Sequence, residues 1–274
     1  MIEPTGLLPA QRQDLILAEI ERSGGARIPQ LAELLGVSDM TVRRDIDVLA
    51  ARGLVTKVYG GAKVRQQGTS EEPGFEAKSG REPAAKELIA AAAAALVRPK
   101  ATIAVSAGTT TYAAAAHLAR IPQLTVVTNS VRVADYLHSN GEPSQTILLT
   151  GGLRTPSDAL VGPIAVQTIS DLHVDLLLMG VHGMDPVSGF TTPNLMEAEM
   201  NRAMVASAGR LVVLADHTKW GVIGLSAIAA LTDASILVSD SGLTAEAREI
   251  IEGTVGELII ADRQDSGGAD AAAL

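Results

Sequence analysis

Leu31-Ala32-Glu33-Leu34-Leu35-Gly36-Val37-Ser38-Asp39-Met40-Thr41-Val42-Arg43-Arg44-Asp45-Ile46, then Gly53-Leu54-Val55 and Tyr59-Gly60-Gly61-Ala62, decides how the rest of the chain is read. Leu31, Leu34 and Leu35 make the inward face of a brief helix over residues 30–35. Pro29 marks its start, and Gly36 ends it because glycine takes a positive φ at little cost. Ser38 offers its hydroxyl to the free N–H groups of the next helix. There Val42, Ile46 and Leu49 fall at i, i+4 and i+7, which at about 100° per residue is one apolar stripe. Arg44 points nearly opposite, with Met40 and Asp47 beside it, while Thr41 and Arg43 flank the stripe. Residues 55–59 turn at Gly60-Gly61 to form a wing. In this order the features describe a winged helix-turn-helix presenting a helix to the major groove. Arg43 and Arg44 suit guanine edges or phosphates, and Ser38 and Thr41 suit phosphates or a thymine methyl. Lys57 and Lys63 on the wing suit the DNA backbone. A helical hairpin with a solvated charged face is the plainer alternative, but it explains neither the order nor the wing.

Upstream, residues 1–8 carry no pattern. Residues 9–21 place Leu15, Ile16, Ala18 and Ile20 among Gln, Arg and Asp, an amphipathic helix ended by Ser23-Gly24-Gly25. Ile28 reads as a short strand or turn anchor.

The chain has 274 residues, enough for two domains at roughly 100–200 residues each. Hydrophobic residues make up 47% and aromatics 2%, so any core must be built from Ala, Val, Leu and Ile. With no cysteine, disulfides, thiolate metal sites and cysteine nucleophiles are excluded, and a reducing cytoplasm is the expected compartment. The N-terminus lacks a signal-peptide pattern, and no apolar run approaches the roughly 20 residues that span a bilayer. The net charge of −9 is unevenly placed. Residues 1–66 carry nine Lys/Arg against eight Asp/Glu, and the remainder thirteen against twenty-three. A near-neutral head on an acidic body fits a DNA-binding module whose partner domain leaves DNA alone.

Residues 66–81 read as a linker rich in Gln, Gly, Ser, Glu and Pro. Residues 82–97 read as an alanine-rich helix. From Ala101 short apolar strands alternate with helices. Strands are expected over residues 102–106, 124–128, 146–150, 175–179, 211–215, 235–239 and 258–261. Helices are expected near residues 109–118, 131–137, 164–170, 195–206 and 245–251, with a loop from strand four to Pro193. This is a parallel α/β sheet covered on both faces. Residues 264–274 read as a disordered tail.

In such a sheet, ligands bind beyond the C-terminal strand ends. There the polar residues gather: Ser106 to Thr111, Thr128-Asn129-Ser130, Thr150 to Arg154, His182 to Thr192, and Asp216-His217-Thr218-Lys219. Gly108-Thr109-Thr110 opens a helix and suits an anion such as phosphate. Neither a Gly-Lys-Thr/Ser phosphate loop nor a Gly-x-Gly-x-x-Gly spacing is present. Gly151-Gly152 lets backbone approach a ligand, Arg154 suits its phosphate, and Asp216 and Lys219 suit sugar hydroxyls. The five histidines show no metal spacing; His117 and His138 read as surface or packing residues, and His182 and His217 as pocket lining. No metal or cofactor is called for. Asp185, Glu197, Glu199, Asp216 and Lys219 could do acid–base chemistry. A sugar-phosphate isomerase or deaminase fused to a DNA-binding domain therefore stays open beside a ligand sensor.

These residues resemble the DeoR family of bacterial transcriptional regulators over nearly the whole chain. In the head the likeness rests on Val37 to Ile46 and on Tyr59-Gly60-Gly61-Ala62. In the sensor it rests on Gly108-Thr109-Thr110, Val127-Thr128-Asn129-Ser130, Gly151-Gly152-Leu153-Arg154, Gly189-Phe190-Thr191-Thr192 with Glu197, and Leu214-Ala215-Asp216-His217-Thr218-Lys219. The resemblance implies a winged helix-turn-helix at residues 1–65, a linker at 66–81 and a Rossmann-like α/β sensor at 82–263 similar to ribose-5-phosphate isomerase. It implies a repressor of carbohydrate metabolism genes, a homo-oligomer on double-stranded operator DNA, with a phosphorylated sugar or polyol as effector. DNA contacts are expected at Ser38, Thr41, Arg43, Arg44 and Lys57. Effector contacts are expected at Lys86, Ser106, Gly108, Thr109, Thr110, Asn129, Gly151, Gly152, Arg154, Glu197, Asp216 and Lys219, with Lys78 at the pocket edge. The family usually has Asp and Ser where this chain has Ser106 and Ala107, and His in place of Tyr59.

Overall fold

The computed structural model describes residues 8–23, 25–52, 54–58, 60–64 and 74–262, with the backbone alone at 21, 22, 63 and 64. The expectations for residues 1–7, Tyr59, residues 66–73, the Lys63 side chain and residues 264–274 lie outside these. The chain divides into two compact units, Met1–Gly68 and Thr69–Leu274.

In the first unit, α1 (Pro9–Ser23) precedes a short strand β1 (Gly25–Arg27), α2 (Ile28–Leu35) and α3 (Asp39–Ala51). The strands β2 (Val55–Val58) and β3 (Gly61–Val64) form the wing. β3 lies between β1 and β2, so the wing is a three-stranded antiparallel sheet. The strand at β1 precedes Ile28, which instead opens α2. Gly36 ends α2 at φ 63°, the left-handed region where a Cβ is penalised. Ser38 caps α3 by accepting from the Thr41 amide at 3.3 Å. Ile16, Ile20, Leu31, Leu35, Val42, Ile46 and Leu49 fill one apolar core. Leu34, expected to point inward, is exposed. Ile28, Leu31, Ala32 and Leu35 already complete the buried stripe of this two-turn helix, and Leu34 falls on its outer side.

The second unit opens with a short helix, α4 (Phe75–Ser79), where a linker was expected, followed by α5 (Pro83–Ala95). The strands β4 (Thr102–Val105), β5 (Thr125–Thr128) and β6 (Thr146–Leu149) alternate with α6 (Thr109–Leu118) and α7 (Val131–Asn140). A two-stranded ribbon, β7 (Leu153–Arg154) and β8 (Leu160–Val161), leads to α8 (Pro163–Ser170) and β9 (Leu176–Gly180). Residues 181–193, expected as a loop, contain β10 (Gly183–Asp185) and β11 (Gly189–Thr192). Then come α9 (Leu195–Ser207), β12 (Leu211–Leu214), β13 (Ser226–Ala229), β14 (Ile236–Asp240), α10 (Ala245–Glu252) and β15 (Leu258–Ala261).

The main sheet is parallel, in the order β15-β14-β12-β9-β4-β5-β6. Alternate strand residues serve opposite cores. Ala104, Leu177, Met179, Val213 and Leu237 pack with Ala165, Ile169, Met200, Met204 and Ile251 from α8, α9 and α10. Ile103, Val105, Leu176, Leu178, Val212 and Val238 pack with Ile89, Ala93, Ala114, Leu118 and Leu137 from α5, α6 and α7. Burial on both faces is why these strands read as unbroken apolar runs. β10, β11 and β13 form a separate antiparallel sheet. The strand order reverses between β4 and β9, and in open α/β sheets the crevice at the C-terminal ends of such a pair is where ligands bind.

Candidate DNA-binding and effector sites

Arg43 and Arg44 are exposed on α3 and make no ion pair or hydrogen bond among the described residues. The Ser38 and Thr41 hydroxyls share a 2.9 Å hydrogen bond at the start of the same helix. Met40 is 71% exposed beside them, so an apolar contact to a base is available without unfolding anything. Lys57 on the wing is not a free cation: its Nζ donates to Asp47 of α3 at 2.5 Å. One carboxylate therefore offsets the wing charge expected to meet DNA.

The opposite face of α3 holds a feature that periodicity did not reveal. Asp45 is buried, and Arg12 of α1 donates to it from Nε at 2.5 Å and from Nη2 at 3.2 Å. Gln13 Nε2 adds a third bond at 3.1 Å. The hydrogen bond to Asp45 holds the Arg12 guanidinium above its usual range.

At the crevice, Ser106 is fully buried after β4. Its hydroxyl accepts from the Gly180 amide at 3.1 Å, binding the end of β4 to the end of β9. Asn129 after β5 is also buried; its Oδ1 accepts from the Ala107 amide at 2.8 Å and its Nδ2 donates to the Leu160 carbonyl at 3.2 Å. Both side chains fix the loops that form the edge. Thr110 and Thr111 are buried at the start of α6, and Thr111 Oγ1 donates to the Gly108 carbonyl. Thr109 is half-buried. Gly152 has a reason other than ligand approach: at φ 112° a Cβ there would meet the Val161 carbonyl oxygen at 2.4 Å. Gly151, at φ 73°, precedes it.

Charge collects beside these loops. Lys86 of α5 is buried and its Nζ donates to the Lys78 carbonyl at 2.6 Å and the Arg81 carbonyl at 2.5 Å. Burial lowers its pKa to about 8; Asp216 opposes that fall, while Lys219 and Arg81 add to it. Lys78 thus contributes its carbonyl here. Asp216 is buried after β12 and caps the turn His217–Lys219 by accepting from the Thr218 amide at 3.1 Å and from the Thr218 hydroxyl. His217 donates from its backbone N–H to Asp240 Oδ1 at 2.7 Å, and its Nδ1 lies 2.8 Å from Oδ2. The hydrogen bond raises the His217 pKa; Asp240, despite burial pulling upward, is held at about 2 by His217 and by the amides that donate to it.

Arg154, expected to meet a phosphate, is on β7 and donates from Nε to Asp158 Oδ1 at 2.8 Å. Glu197 of α9 accepts from the Thr155 hydroxyl at 2.8 Å, from the Ser157 hydroxyl, and from Thr192 Oγ1 at 3.5 Å. Arg132, Thr155, Ser157, Asp158 and Asp240 were not singled out from the sequence. Asp240 ends the sixth sheet strand in sequence, and Arg132 follows Ser130 by two residues, so reading every strand end to the same depth finds both. Among the described residues, no group of three or more His, Asp or Glu could hold a metal, and no helix is long and apolar enough to cross a membrane.

A winged helix-turn-helix in one unit and a parallel α/β sheet with charged strand ends in the other define a DNA-binding regulator. Residues 12–68 match the DeoR-like helix-turn-helix domain and residues 81–241 the DeoR C terminal sensor domain. The HTH-type transcriptional regulator GolR of Listeria innocua serovar 6a is 34% identical, over 86% of this chain and 92% of its own. The HTH-type transcriptional regulator GlpR of Haloferax volcanii is 34% identical, over 90% of this chain and 95% of its own. The chain belongs to the DeoR family and is a DNA-binding transcriptional regulator. Ribose 5-phosphate isomerase from Plasmodium falciparum overlaps 51% of this chain and 54% of its own at 15% identity and a TM-score of 0.37, a likeness that bears on no functional conclusion.

Proposed function

We propose that this regulator is a cytoplasmic repressor of carbohydrate-metabolism genes, acting as a homo-oligomer, whose operator affinity is set by a phosphorylated sugar or polyol. Residues 1–65 carry the DNA contacts, through Ser38, Thr41, Arg43, Arg44 and Lys57. Residues 82–263 carry the effector site, around Lys86, Ser106, Gly108, Thr109, Thr110, Asn129, Gly151, Gly152, Arg154, Glu197, Asp216 and Lys219. The supporting observation is that buried Lys86 of α5 feels the charges of Asp216 and Lys219, which follow β12. A phosphate monoester needs cations and a sugar needs hydroxyl acceptors, and this edge offers both.

The protein is not an enzyme and takes no cofactor. His217–Asp240 and Lys86 could in principle move protons, but sensing needs only differential affinity of the effector for two states. The test is operator release by the full-length protein across a panel of phosphorylated sugars and polyols, with turnover of each assayed in parallel. Release without turnover, abolished in Lys219→Ala while that variant still binds operator, is the expected result. Turnover of any member establishes the enzyme reading instead, and a normal response from Lys219→Ala moves the effector elsewhere.

A further inference from the structure

Arg132 is the second residue of α7, and its Nε donates to Asp158 Oδ2 at 2.5 Å. Arg154 approaches the other oxygen, with Nε at 2.8 Å and Nη2 at 2.7 Å from Oδ1. Two guanidiniums, one from α7 and one from β7, thus grip one carboxylate. Asp158 reaches them from a turn in which its amide donates to the Thr155 carbonyl at 3.0 Å, and its φ is 63°. Asp and Asn are the non-glycine residues that enter this region at least cost. The turn belongs to the ligand edge, because Leu160 and Asn129 exchange hydrogen bonds at the end of β5. The same turn holds Glu197 through Thr155 and Ser157.

We infer that Arg132 and Arg154 form a binding site for a phosphate monoester, for which Asp158 is a built-in competitor. A guanidinium fork matches carboxylate and phosphate by the same two-point geometry, and the first turn of α7 adds the positive end of a helix dipole. A phosphate dianion placed between the two forks repels the Asp158 carboxylate from them. Arg132 has two further partners: its Nη2 donates to Glu76 at 2.7 Å, and its Cζ lies 4.0 Å over the Phe75 ring. Both belong to α4, the first described element after the boundary between the units. Drawing Arg132 onto a phosphate therefore loosens the segment through which the DNA-binding unit is attached. The inference rests on the reading of this edge as a phosphate-sensing site.

The probe is inorganic phosphate, titrated calorimetrically into the full-length protein, with chloride at matched ionic strength as the control. Asp158→Asn keeps an αL-tolerant side chain and removes the competing charge, so phosphate should bind about tenfold more tightly. Arg132→Gln in that background should lose the gain. Unchanged affinity in folded Asp158→Asn, or an unchanged gain without Arg132, overturns the inference. In the wild-type protein, phosphate should lower hydrogen-exchange protection of the Asp158 and Lys78 amides, which donate to the Thr155 and Gly74 carbonyls. Full protection at tens of millimolar phosphate overturns the inference even if Asp158→Asn does not fold. Operator release by a phosphorylated sugar alongside either negative result would leave the effector reading standing and this site refuted.

Discussion

Arg12 closes a two-point ion pair on buried Asp45, tying α1 to the inner face of α3. The Asp45 side chain is 3% exposed and that of Arg12 13%, so removing one partner strands a buried charge. Such a loss costs about 3–5 kcal/mol. Asp45→Ala should destabilise the DNA-binding unit by roughly that amount in chemical denaturation and weaken operator binding only through unfolding. A loss below about 1 kcal/mol, the range of surface ion pairs, would remove the pair from this role.

Arg44 is exposed on the outer face of α3 and supports none of the unit's packing. Arg44→Ala should leave the melting temperature unchanged and cost about 1–3 kcal/mol of operator affinity, relaxing sequence preference. Equal losses on operator and random DNA in a competition assay would make it a phosphate contact instead.

Lys57 spends its charge on Asp47 in the free protein. Asp47→Ala should release it, strengthening binding to any duplex and steepening the salt dependence of affinity by about one counterion. An unchanged salt slope would mean that the wing lysine does not meet the backbone.

Lys86 titrates at about 8, pushed down by burial. Its positive charge therefore falls as pH rises through that value, and binding of a phosphorylated effector should weaken across the same interval. Lys86→Arg, charged throughout, should abolish this pH step; a step that survives in Lys86→Arg comes from another group.

The His217–Asp240 pair has opposite pH limits. The raised His217 pKa contributes stability that is full below about 6.5 and fades as pH rises through its folded value. Asp240 contributes above its ordinary carboxylate range, and this is lost as pH falls toward about 2. Asp240→Asn should flatten the stability profile most between about pH 4 and 6.5, the interval bounded by the two ordinary values. A pH profile parallel to that of the wild type would show the pair to be idle.

Much of this was legible in sequence because local signals and tertiary packing agreed. Gly36, Ser38 and the Val42-Ile46-Leu49 stripe each have one local explanation and meet it. The parallel sheet was legible because its central strands are buried on both faces. Residues 181–193 were not: Gly183 pairs with Thr191 in a short hairpin, and Phe190 and Thr191 pair in turn with β13, more than thirty residues on, which alternation over three or four residues does not signal. Leu34 failed because one helical turn of leucines cannot say which member faces outward. At the strand ends, sequence pointed to the polar loops but not to what each side chain holds there. Ser106, Asn129 and Gly152 satisfy their own protein's backbone, while the charges around Asp158 come from residues that no short motif joins.

Phe75, Tyr112 and Tyr136 stack edge to face, with centroids 5.6 and 5.9 Å apart. The whole sequence holds only two Phe, three Tyr and one Trp, and Trp220 follows Lys219 directly. Half of the chain's chromophores thus sit in the ladder that ends on α4, and its single indole sits beside the crevice. Tryptophan emission during a DNA titration therefore reports on the sensor unit without interference from the unit that touches the DNA.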